Sequence, residues 1–82
     1  MSRLRDALLE LASERGPQKS FCPSEAARRA CGLHWREAME EVRREARALR
    51  DAGFLEILQK GRPVGQNWKG PIRLRLRRPA PP

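Results

Sequence analysis

The hydrophobic period of this chain changes once, at Gly53. Before it, apolar residues recur every three or four positions; after it, they recur every second one. The first spacing is that of helices with one buried stripe, and the second is that of strands with one buried face. Pro71–Arg77 is the clearest stretch. Ile72, Leu74 and Leu76 fall on one face, and Arg73, Arg75 and Arg77 fall on the other. A strand of this kind needs a core on one side and water or a partner on the other. The expected class is therefore α+β, with helices followed by a hairpin.

The helical part divides at glycine and proline. Leu4, Ala7, Leu8, Leu11 and Ala12 predict a first helix over residues 3–15, stopped by Gly16-Pro17. Residues 18–22 read as a short extended link and a candidate minimal strand. Pro23 suits the first position of a second helix, with Glu25 near its positive end, and Gly32 closes that helix after Cys31. Leu33-His34 makes a turn. Trp35, Met39, Val42, Ala46 and Leu49 then predict a third helix over residues 35–52, with Trp35 in the core. Phe54–Lys60 reads as a strand, Gly61–Gly70 as a polar loop and Pro71–Arg77 as a second strand. Residues 1–78 are expected to form a single domain, with 79–82 as a loose Pro-rich tail. Helix, link, helix, turn, helix, strand, loop, strand is the order of a winged helix-turn-helix: three helices followed by a β-hairpin wing.

Motifs along the chain support that order. Cys22-Pro23-Ser24-Glu25, Lys60-Gly61-Arg62-Pro63-Val64 and Gly70-Pro71-Ile72-Arg73-Leu74 together resemble those of a small bacterial winged-helix domain family of unknown function. The resemblance spans residues 4–77. It implies the fold and implies no activity.

Charge narrows the partner. The net charge is +8, which favours polyanions. Residues 54–82 hold seven basic groups and one acid, or +6, and residues 1–53 hold eleven basic and nine acidic groups, or +2. Most of the excess thus sits on the hairpin and tail. Arginines on alternate strand positions stand about 6.8 Å apart and form a candidate phosphate track. The competing reading is a solvated sheet face.

The third helix is polarised. At 100° per residue, Arg36, Arg43, Arg47 and Arg50 share one flank, while Glu37, Glu41 and Glu45 share the opposite one. Glu40, Arg44 and Asp51 lie between them, where Glu40–Arg44 and Glu41–Arg44 pairs are expected. Glutamates in the first turns disfavour close base reading by this helix. The expected contact is therefore mainly with the nucleic-acid backbone, duplex DNA being favoured over RNA. The candidate residues are Arg36, Arg43, Arg47, Lys60, Arg62, Lys69, Arg73, Arg75 and Arg77. Trp68 either stacks on a base or folds back onto the protein, the second being favoured. The alternative function is a protein-interaction or homodimerisation module, using Phe54 and Leu58 on the outer sheet face.

Other chemistries find little support. One histidine and no nucleophile-elbow, phosphate-loop or dinucleotide fingerprint argue against an enzyme. Cys22, Cys31 and His34 supply three soft ligands where a structural zinc site needs four. No metal or cofactor is expected. Cys22 is weighed as a redox thiol near Lys19 against an ordinary capping or buried role. Two cysteines are too few for a secreted disulfide framework, and both are expected to be reduced. A charged N-terminus without an apolar segment, and no long apolar run, predict a cytoplasmic chain with neither signal peptide nor membrane span.

Overall fold

The computed structural model describes residues 3–65 and 68–77. Three α-helices, α1 (Arg3–Arg15), α2 (Pro23–Cys31) and α3 (Met39–Asp51), precede strands β1 (Leu55–Gln59), β2 (Arg62–Pro63) and β3 (Arg73–Leu76). The architecture is α+β, with a small antiparallel sheet in the order β2-β1-β3. The expected tail 79–82 lies outside the described residues.

The first two helices fall where the periodicity puts them. Leu4, Ala7, Leu8, Leu11 and Ala12 are all buried. Cys22 is the N-cap of α2. Its N–H donates to the Glu25 carboxylate at 2.8 Å, and the same carboxylate receives Arg15 from α1 at 2.7 Å. Glu25 therefore satisfies one of the orphan donors of α2 and pins the end of α1 to the start of α2. Arg29 adds a two-pronged contact with Glu14 across the same helix pair.

The third helix starts later than the apolar stripe predicts. Gly32–Ala38 is a 3-10 segment, kinked at His34 (φ −96°, ψ 17°), and α3 begins only at Met39. Gly32 adopts φ +56°, a left-handed backbone that ends α2 and that other residues resist. The tight turn then continues as 3-10 instead of becoming α-helix. Trp35 consequently sits beside the core instead of within it, half-buried, whereas Val42, Ala46 and Leu49 are fully buried.

The sheet closes the other side. Leu55 and Ile57 of β1 and Leu74 of β3 are buried against the helices. Phe21, fully buried, exchanges two backbone hydrogen bonds of 2.8 Å with Leu74. The link before α2 is thus a one-residue bridge onto β3. Residues 61–63 hold more order than a polar loop. Lys60 (φ +51°) and Gly61 (φ +79°) form a two-residue turn that folds β2 back on β1, pairing Gln59 with Arg62 and Leu58 with Pro63. Two successive positive φ values are the mark of a type I′ hairpin turn. Leu58 lies outside the helix-facing cluster, as alternation predicts. It is nevertheless only 4% exposed, flanked by its register partners Pro63 and Arg73, so the expected open Leu58 patch is not there. Phe54, half exposed, does reach the surface.

Candidate nucleic-acid interface

The candidate basic residues separate into three groups. The first borders α3. Arg43 and Arg47 are one helical turn apart, and their guanidinium carbons lie 5.4 and 4.6 Å from the Trp68 ring centroid. Trp68 is 8% exposed and belongs to the core cluster. It folds back onto the protein, as favoured, and lies against α3. Arg36 lies 4.6 Å from the Trp35 centroid, and Arg28 of α2 lies 4.4 Å from it. A ring face attracts a guanidinium without neutralising it. Among the described residues, none of these four arginines has a carboxylate within ion-pair distance. They are held in place with their charge uncompensated. Arg50, on the same flank, is instead paired with Asp51 at 2.7 Å.

The second group is the arginine row of β3. Two of its three arginines already have partners within the protein. Arg75 donates twice to Glu56, at 2.5 and 3.1 Å, from the directly opposite position on β1. Arg73 donates through Nε to the Ser20 hydroxyl at 2.7 Å and through Nη2 to the Ser20 carbonyl at 3.0 Å. Arg77 is exposed and has no ion-pair partner among the described residues. Alternation puts this row on the sheet face turned away from α3, so it does not continue the Arg43–Arg47 flank.

The third group, Lys60, Arg62 and Lys69, surrounds the hairpin turn. All three are exposed and free of ion pairs among the described residues.

The acidic side of α3 is also open. The Glu40–Arg44 and Glu41–Arg44 pairs expected from spacing are not formed among the described residues, and Glu37 instead approaches His34 at 3.8 Å. Arg28 and Ser20 escaped the sequence reading because each meets its partner from a different element. No spacing along the chain announces such a contact.

Glu25 has the most constrained carboxylate. Partial burial pushes its pKa up, but the Cys22 N–H and the Arg15 guanidinium outweigh this and hold it below the ordinary value of 4.5. Arg29, hydrogen-bonded to Glu14, likewise lowers that carboxyl. Cys22 and Cys31 are half-buried free thiols, and Ser24 Oγ donates to Cys22 Sγ at 3.1 Å. Among the described residues, no cluster of three or more His, Cys, Asp or Glu is placed to hold a metal, and no helix is long and apolar enough to cross a membrane.

Comparison with known families places residues 1–77 within the one described as "Protein of unknown function (DUF3253)". No curated protein matches the chain.

Proposed function

The chain belongs to the DUF3253 family, and we propose that it is a winged helix-turn-helix domain that binds nucleic acid, duplex DNA foremost, by gripping the phosphate backbone. In this reading α2, the 3-10 turn and α3 are the helix-turn-helix, and β1–β3 are the wing. The protein is a binder and not an enzyme, and it acts in the bacterial cytoplasm.

One observation carries the proposal. Arg43 and Arg47 on Trp68, with Arg36 and Arg28 on Trp35, are ordered by aromatic rings and have no carboxylate partner among the described residues. Ordering in advance removes part of the entropy cost of binding, and the missing counter-charge leaves each guanidinium for phosphate. Lys60, Arg62 and Lys69 extend the positive surface along the wing. Arg73 and Arg75 already have partners and contribute less, which shifts the weight of the interface from the strand row to α3 and the wing tip. Glu40 and Glu41 at the start of α3 stay exposed and work against tight base reading.

Fluorescence anisotropy with duplex DNA tests this. Arg43→Glu with Arg47→Glu should weaken binding far more than Arg73→Glu with Arg75→Glu. Equal losses would contradict the assignment of the site, and no binding by the native chain at low salt would contradict the function. A protein-docking role is the second reading, favoured by Leu33 at 95% and Phe54 at 50% exposure. A concentration-dependent dimer in sedimentation, abolished by Phe54→Lys, would support it.

A further inference from the structure

A cleft of about 1130 Å³ opens beside the wing hairpin, between the β1–β2 turn and the segment that returns to β3. Its rim carries Lys60, Arg62, Lys69 and Arg73, and among the described residues no carboxylate lines it. The rest of its lining is mainly apolar, through Leu58, Pro63, Val64, Pro71 and Ile72, with Ser20 and Gln59 as the polar exceptions. Four cations around an apolar wall suit a ligand with a charged backbone and flat apolar faces.

We propose that this cleft takes unpaired nucleotides, so that the domain prefers a duplex carrying a single-stranded tail to a blunt one. This rests on the nucleic-acid reading above and adds a structural preference to it. In a duplex each base face is covered by its stacked neighbour and only base edges reach the grooves. An unpaired base has a free face, and such faces are what single-strand grooves hold. Proline rings and aliphatic side chains offer a flat surface for that contact, while the rim cations meet the flanking phosphates.

The walls are braced for such use. The Gln59 side-chain amide donates to the Lys69 carbonyl and, at 3.4 Å, to that of Pro71, tying the returning segment to β1. Arg73 spends two of its five N–H donors on Ser20 and leaves the others for a phosphate. An apolar floor with exposed Pro63 and Pro71 distinguishes this cleft from the α3 flank, where Arg43 and Arg47 lie on a ring that is buried.

The test uses the intact chain and two labelled oligonucleotides in one buffer. One is a blunt duplex. The other is a shorter duplex with a tail of roughly eight nucleotides, within the usual span of one single-strand groove, and with the same total nucleotide number. The tailed form should bind about tenfold more tightly, the effect of roughly one base contact. Pro63→Glu, at an exposed wall position, should remove that preference and leave most of the blunt-duplex affinity. Pro63→Trp should strengthen it. Circular dichroism checks that each variant is folded. Equal affinity for tailed and blunt forms, with blunt binding intact, overturns the cleft and spares the duplex reading. No binding to either form overturns both. Binding of a labelled oligoglutamate peptide that is lost in Pro63→Glu, without any tail preference, overturns the cleft as a nucleotide site and assigns it to acidic peptides.

Discussion

The guanidinium carbon of Arg47 lies 4.6 Å from the centroid of the Trp68 ring, which fastens the loop beyond β2 to the surface of α3. The contact joins two segments that the chain separates by about twenty residues. It also makes one side chain serve two ends. Trp68 fills the core cluster below, and it positions Arg43 and Arg47 above.

Removing Trp68 should therefore cost stability and binding together. Trp68→Ala is expected to destabilise by about 3 kcal/mol, the usual loss for a buried large aromatic. Trp68→Phe keeps a ring face and removes an indole N–H that is buried without a partner among the described residues. It should cost less than about 1 kcal/mol. Urea titration measures the first quantity and DNA anisotropy the second. A Trp68→Ala variant with native affinity would show that the ring does not order the arginines.

Breaking the Glu56–Arg75 pair should raise affinity for polyanions. In the native chain Arg75 is occupied by a carboxylate 2.5 Å away. Glu56→Gln removes a negative charge and frees a positive one, so DNA binding should tighten by about twofold to tenfold at low salt. The stability change should stay near 1 kcal/mol or below, as expected for a partly exposed pair. Weaker binding by this variant would mean that Glu56 itself holds Arg75 in its binding position.

Lys60 should let stability and binding be separated. Its φ of +51° is one that asparagine accepts more readily than lysine. Lys60→Asn should stabilise the type I′ turn by a few tenths of a kcal/mol, and weaken DNA binding by the loss of one cation. Gly61→Ala, at φ +79° with open space around the new methyl, should cost about 1 kcal/mol through backbone strain alone. Thermal melts of both variants check the signs.

Acid should weaken the joint between α1 and α2. The Glu25 pKa is lower in the folded chain than its ordinary 4.5, so the folded state stabilises the ionised form. That stability is complete above the unfolded value and is lost as pH falls through the lower folded one. Glu25→Gln should thus be about 1 kcal/mol less stable than the native chain near neutrality, a gap that narrows as pH falls below 4.5 and closes below the lowered folded value. A gap independent of pH would show that the loss comes from packing and not from charge.

Much of this architecture is written in local pattern. The stripe from Leu4 to Ala12 and the Pro23 start are short-range signals, and α1 and α2 follow them. The alternation of Ile72 to Arg77 likewise yields the two faces of β3. What local pattern could not carry was set by backbone conformation or by partners from elsewhere. The left-handed Gly32 and the kink at His34 delay α3 and displace Trp35 from the core, although the four-residue spacing to Met39 looks continuous. The β1–β2 turn uses Lys60-Gly61, which is weaker turn chemistry than Asn-Gly, and its second strand is two residues long. The arginine row was legible as a face, but its occupancy was not. Ser20 reaches Arg73 from 53 positions away in the chain.

The salt dependence of duplex DNA binding tests the central claim most directly. Each phosphate neutralised lowers the slope of log K against log salt by about 0.9. With Arg36, Arg43, Arg47, Lys60, Arg62 and Lys69 free to engage, the native chain should give a slope of about −5. Arg43→Gln with Arg47→Gln should bring it closer to zero by about 2. Binding with no salt dependence, or a slope unchanged in that double variant, would contradict the account.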